Sequence, residues 1–241
     1  MVARDPSSEI SLYMFDVLGF SSALARFGLA GIYERYLSLL EILGPAEGGK
    51  PFLSAEPIDD EGNMVPVSGI LDIHTAYFSD TLLIWAPYHP VAFQVLTAHV
   101  LDLFCKSLHE QLPLRGGIAF GRAIMDQERR IYLGDPIVEA YRVESSQAWC
   151  GCSFGPSLSS HPQLFPVTYY WPWREHWKQG FGREEGSSLV LDWPRRWREL
   201  YGDDEFESTV DALRQPGSEA YWDATCAFCR ESATEREWWI E

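Results

Sequence analysis

Asp16 and Asp80 are the residues from which chemistry can start. Residues 10–15 read as a buried strand ending just before Asp16. Residues 70–78 and 81–86 are two apolar, β-rich runs separated by Ser79-Asp80, which predicts a tight hairpin with a carboxylate at its tip. Carboxylates on the ends of adjacent strands can share two divalent cations, and such a pair lowers the pKa of an attacking hydroxyl and clamps phosphate oxygens. The turn Val17-Leu18-Gly19-Phe20 leads from Asp16 into a helical pattern. A helix N-terminus there has free N–H groups and a dipole that favour a triphosphate, and Gly19 allows close approach. Arg142 is an arginine in the helical stretch that Pro136 opens. Plainer roles exist for each: ordinary turn aspartates, an Arg142 paired with Glu139 or Glu144 on its own helix, and Asp135 as a helix cap.

The elements that must position these groups follow from periodicity. A helix is predicted from about 21 to 43, with Leu24, Phe27, Ile32, Tyr36, Leu39, Leu40 and Leu43 at helical spacing and Gly44-Pro45 as its stop. Residues 44–69, rich in Gly and Pro and carrying Asp59-Asp60-Glu61, read as a long surface loop. A second amphipathic helix spans about 90–112. Residues 115–125 read as a strand turning near Gly121, extended structure resumes at 130–133, and Pro136 opens a helix reaching to about Trp149. The order is strand, helix, strand, strand, helix, strand, strand, helix: an α+β alternation whose helices cover one mostly antiparallel sheet. Beyond it, residues 187–192 form a further strand, and the stretches 193–201 and from Tyr221 onward are helical.

Composition narrows the partners. Nineteen basic against 35 acidic side chains give 241 residues a formal charge of −16, which disfavours nucleic acid and anionic membranes. The longest apolar stretches fall short of the ~20 residues that span a bilayer, and the polar N-terminus lacks a signal-peptide core, so the expected location is the cytoplasm. Five cysteines, Cys105, Cys150, Cys152, Cys226 and Cys229, form an odd, sparse set that reads as reduced thiols. Cys226-x-x-Cys229 and Cys150-x-Cys152, with His161 or His176, raise a zinc site; a single C-x-x-C knuckle within a helical pattern favours buried thiols instead.

Three segments in fixed order carry a resemblance: F-D-V-L-G-F-S (15–21), Y-F-S-D-T (77–81) and L-G-D-P-I-V-E-A-Y-R (133–142), with G-I-x-x-G at 117–121. Together they resemble the class III nucleotidyl cyclases over roughly residues 10–155. The resemblance implies a ferredoxin-like βαββαβ core within a single catalytic domain over 1–241, followed from about 156 by a Trp-rich C-terminal extension; nine of the ten tryptophans lie from Trp149 onward. It implies two Mn2+ or Mg2+ ions per site held by Asp16, Val17 and Asp80, phosphates cradled by Leu18, Gly19, Phe20 and Ser21, and Arg142 stabilising the transition state. The active unit implied is a head-to-tail homodimer with Arg142 reaching the partner's aspartates.

Departures from the family pattern bear on the base. Where adenylate-type members read purine with a lysine and an aspartate, this chain has Ala76 and Ile131. Only three lysines exist, Lys50, Lys106 and Lys178, and none is near in sequence. The family's asparagine falls on Val138, and Asn63 is the only asparagine in the chain. Tyr77, beside the vacant lysine place, narrows the pocket for a pyrimidine, and Arg130 presents a guanidinium to a uracil carbonyl. This pattern is similar to the bacterial pyrimidine cyclases of antiphage signalling. The expectation is a uridylate cyclase converting UTP to cyclic UMP and pyrophosphate for a separate effector. A cytidylate cyclase using CTP, or an inactive cyclase-like nucleotide-binding dimer, are the alternatives.

Overall fold

The computed structural model describes residues 6–43, 50–57, 64–159, 170–173, 176–178, 189–202, 204–215 and 217–234. The chain runs β1 (Ser8–Val17), α1 (Phe20–Leu43), β2 (Lys50–Pro57), β3 (Met64–Leu71), β4 (His74–Phe78), β5 (Thr81–Pro87), α2 (Pro90–His109), β6 (Leu114–Asp126), β7 (Ile131–Gly134), α3 (Asp135–Ser145) and β8 (Cys152–Phe154). It continues through α4 (Pro156–Ser159), β9 (Tyr170–Pro172), β10 (Leu189–Leu191), α5 (Trp193–Tyr201), α6 (Asp204–Leu213) and α7 (Glu219–Thr234). Among the described residues the main sheet has the order β4-β5-β1-β6-β8-β10-β9, with β7 paired to β6. All pairings are antiparallel except β6 with β8.

Period-two alternation along β1 divides two cores. Tyr13, Phe15 and Val17 face α1 and α2 in a large cluster with Phe93, Leu96, Phe104 and Leu108. Ile10 and Leu12 face the other way with Ala76, Leu83, Trp85 and Ala119, and α3 covers part of this second face through Ala140. A side chain at Gly117 would collide with the Ala140 carbonyl, so it is the bare glycine that lets α3 lie this close to β6.

Four expectations need correction. Residues 44–69 are not one loop, because β2 and β3 pair in register from Lys50 opposite Leu71 to Pro57 opposite Met64. The prolines are compatible with pairing since both strands of a two-stranded sheet are edges. The acidic run 59–61 lies outside the described residues. The strand at Gly121 does not turn back: β6 stays paired to β1 as far as Ala123, and Gly121 keeps that pairing at φ 154°, a backbone angle that L side chains rarely adopt. The helix after Pro136 stops at Ser145, whose successor Ser146 caps it, rather than reaching Trp149. Helix α1 is interrupted at Gly28 (φ 69°, ψ 172°), which shifts the helical phase and leaves Leu24 at the surface.

The C-terminal third joins the α1/α2 core. Trp173, Trp193, Trp197 and Trp222 are buried in the same cluster as Phe15, and Trp193 packs its ring 5.3 Å from Phe104 on α2. Its carbonyl accepts the Cys105 thiol at 3.5 Å. The three-residue strands β8 and β9 are too brief for a periodicity signal, and helix α6 has no counterpart among the predicted elements. Among the described residues no helix is long and apolar enough to cross a membrane.

Candidate functional site

The β4–β5 hairpin closes with Phe78 opposite Thr81, leaving Ser79-Asp80 as a two-residue tip; Ser79 has φ 57°. Thr81 in turn lies opposite Asp16 on β1, and the Val17 N–H donates to the Asp80 carbonyl at 2.9 Å. The two aspartates are thus neighbours across the end of the sheet, as the sequence predicts. Tyr36 of α1 fixes the tip by donating its hydroxyl to the Ser79 carbonyl at 3.1 Å.

Asp16 belongs to the face covered by α3, and its surroundings are crowded with charge. Arg115, directly opposite it on β6, holds Glu144 of α3 through Nε at 2.6 Å and reaches Asp16 at 4.0 Å. Half-burial, then the negative charges of Glu144 and Asp80, push the Asp16 carboxyl up to about 6, partly opposed by Arg115. Burial, then the charges of Asp80 and Asp16, raise the Tyr36 hydroxyl. A second cation is what this excess of negative charge lacks. The donor set consists of hard oxygens, Asp16, Asp80 and the main-chain carbonyl of Val17, whose side chain is in the core; such donors fit Mg2+ or Mn2+. Among the described residues no cluster of three or more His, Cys, Asp or Glu side chains forms a metal cage, so the remaining positions would fall to water or phosphate oxygens.

The β1–α1 turn is built by Gly19 at φ 68°, where a Cβ would meet no neighbour; conformation rather than space requires glycine. The Leu18 N–H is committed to the Pro113 carbonyl at 2.8 Å. The Leu18 amide is therefore taken, and of the four residues expected to cradle phosphates Gly19, Phe20 and Ser21 stand at the start of α1.

Arg142 is exposed on α3. Neither carboxylate expected to pair with it does so: Glu139 accepts the Ser157 N–H at 2.8 Å and Glu144 holds Arg115. Within one chain Arg142 is not among the charges that act on Asp16. Arg130 is exposed too, at φ 56° in the turn between β6 and β7, next to the exposed Ile131.

Tyr77 is placed differently from the expectation. It faces the α1 side, edge-on to Tyr36 at 6.0 Å, and burial raises its hydroxyl to about 12. Ala76 is on the opposite face. Strand alternation puts Phe78, not Tyr77, on the face of Ala76 and Asp16, and Phe78 stands 6.1 Å from Tyr132 of β7, half exposed. The sequence carried this signal, since 76 and 78 share parity. Arg115, Glu144 and Tyr36 were also missed. Glu144 was legible as a carboxylate on the inward stripe of α3, beside Ala140 and Val143, whereas Arg115 needed the β1–β6 register.

A solved structure shares this architecture. The catalytic core of a rhodopsin-guanylyl cyclase with converted specificity, in complex with ATPαS, superposes with a TM-score of 0.51 at 11% identity, covering 76% of this chain and 93% of that one. The fold is that of a nucleotide cyclase core. A bacterial light-regulated adenylyl cyclase gives 0.49 at 12% identity over 80% of this chain, which spans about half (54%) of that protein. A class III adenylyl cyclase-like ATP-binding protein from Pseudomonas aeruginosa gives 0.38 at 14% identity, covering 96% and 46% of the two chains. No protein-family model matches the sequence, and no curated protein does.

Proposed function

We propose that this protein is a metal-dependent nucleotidyl cyclase acting on a pyrimidine nucleoside triphosphate, with UTP the preferred substrate and cyclic UMP and pyrophosphate the products. The observation that carries it is the pair Asp16 and Asp80 at neighbouring strand ends of a cyclase-type sheet, with a glycine turn opening α1 beside them. In the reaction the ribose 3′-hydroxyl attacks the α-phosphorus in line and pyrophosphate leaves. Asp16, Asp80 and the Val17 carbonyl would hold Mn2+ or Mg2+, which when bound supplies Lewis acidity toward hydroxyl and phosphate oxygens. The Gly19, Phe20 and Ser21 amides orient the anionic tail, and Arg142 neutralises charge that develops as the bond breaks.

Arg142 is exposed and makes no ion pair with Glu139 or Glu144 of its own helix, which supports a homodimer in which Arg142 serves the partner's site. The exposed apolar side chains Phe78, Ile131, Leu133, Val138 and Tyr141, contributed by β4, β7 and α3, supply a surface for that contact. For the base, Ala76 and Ile131 offer no charged group to a purine, and we assign to Phe78 the stacking role first given to Tyr77, with Arg130 as the polar contact. The biological reading follows from the sequence resemblance: a second messenger of bacterial antiphage defence, made in the cytoplasm and acting on a separate effector.

Incubating the protein with Mn2+ and each of the four NTPs tests this. Cyclic UMP as the main product supports it, cyclic CMP shifts the base assignment, and no cyclic product from any NTP leaves the nucleotide-binding dimer.

A further inference from the structure

A cavity of about 280 Å3 opens against the first two turns of α1. Gly19, Ser22, Ala23, Arg26 and Phe27 line it at the i, i+3, i+4, i+7 and i+8 places of one helix face, which ends where Gly28 interrupts α1. Pro113, Leu213 and Trp222 are among its other walls, so the body of the cavity is apolar. Ser22, Arg26 and Gln215 are its exposed, solvent-side polar residues. Ser22 donates its hydroxyl to Gln215 Oε1 at 3.1 Å, which leaves the Gln215 amide nitrogen as a donor alongside the Arg26 guanidinium.

The arginines here are short of counter-charge. The guanidinium carbon of Arg26 stands 5.0 Å from the centroid of the Phe27 ring, and that of Arg35 stands 3.7 Å from the same centroid. Arg35 gives its N–H groups to the Glu110 and Gly31 carbonyls. Among the described residues neither arginine has a carboxylate partner, although the chain carries 35 acidic side chains against 19 basic ones. Two cations gathered on one ring repel each other, and an anion beside them relieves that repulsion.

We infer that this cavity binds a small amphipathic carboxylate, its apolar body among Ala23, Phe27, Leu213 and Trp222 and its head on Arg26 and Gln215. One cation in the lining matches one negative charge, and the planar fork of a guanidinium matches the two oxygens of a carboxylate. Leu18 and Gly19 line this cavity and also form the β1–α1 turn assigned to phosphate binding, so an occupant abuts that turn. An effect on cyclisation rests on the cyclase reading, whereas binding does not.

The test titrates octanoate against the full chain by ligand-observed NMR, without nucleotide or metal. The controls are 1-octanol, which has the tail without the charge, and acetate, which has the head without the tail. Saturable octanoate binding, about tenfold or more tighter than either control, is expected. Arg26→Gln, at an exposed position, should weaken octanoate about tenfold and leave 1-octanol unaltered, a split that a merely structural role would not give. Ala212→Trp, which fills the cavity from an exposed position on α6, should abolish binding of both. No saturable octanoate binding, equal retention of octanoate and 1-octanol, or octanoate binding that Arg26→Gln leaves at wild-type strength overturns the proposal. Cyclisation of UTP with and without octanoate is measured separately, so absence of a cyclic product counts against the cyclase reading alone and absence of binding against this site alone.

Discussion

Arg115 grips Glu144 through both Nε, at 2.6 Å, and Nη2, at 2.5 Å, and the same Nη2 stands 4.0 Å from Asp16. One guanidinium thus ties α3 to β6 and sets the charge beside a proposed metal ligand. The Glu144 side chain is 5% exposed and that of Arg115 14%, so neither charge has water as an adequate substitute partner.

Glu144→Gln or Arg115→Ala strands the remaining charge and is expected to cost about 3–5 kcal/mol of stability by urea unfolding. The paired replacement Arg115→Met with Glu144→Leu should recover most of that loss. Equal destabilisation by the pair and the singles would contradict this account.

Mn2+ affinity should fall as pH drops below about 6, where Asp16 takes up its proton. The sign for stability is opposite. The folded chain holds the proton more tightly than the unfolded chain, whose Asp16 titrates near 3.8. The stabilising contribution of Asp16 is therefore fully present below about pH 4 and is lost as pH rises through 6. Calorimetric Mn2+ titrations between pH 5 and about 7.5 check the first statement, and Asp16→Asn, which should flatten the profile, assigns it.

Tyr36→Phe removes the hydrogen bond that holds the Ser79 carbonyl and leaves the ring beside Tyr77. A loss of about 0.5–1.5 kcal/mol in stability is expected, together with a raised Mn2+ requirement, since the Asp80 tip is less well fixed. Unchanged metal dependence would mean that the hairpin positions Asp80 unaided.

Phe78→Ala should raise KM for UTP and blur selection among NTPs, whereas Tyr77→Phe should leave both unaltered because that hydroxyl lies on the core side. The reverse outcome would restore the base-reading role to Tyr77. Competition assays with all four NTPs provide the readout.

Mixing Asp80→Asn chains with Arg142→Ala chains, each inactive alone, should restore about a quarter of wild-type activity, because half of randomly mixed dimers carry one intact site. Leu133→Asp should abolish dimers in sedimentation and activity together. Failure of the mixture to recover would place Arg142 outside the partner's site.

Sequence alone determined the order of elements around the site and the two aspartates, because strand-ending carboxylates, a glycine turn and the amphipathic period of α2 are local signals within a few residues of one another. It determined that uncharged residues, Ala76 and Ile131, stand where the resemblance led one to expect a lysine and an aspartate, because that is a matter of residue type alone. It misread 44–69, where Gly and Pro density hid the strand pair of β2 and β3. It chose Tyr77 over Phe78 by adjacency when the face of a strand is set by parity. What only tertiary structure decided is which groups share space. Arg115 and Asp16 meet because β1 and β6 pair in one register, and Glu144 joins them because Gly117 lets α3 settle against the sheet. Such meetings depend on registers and close approaches between distant segments, which no periodicity within a segment encodes.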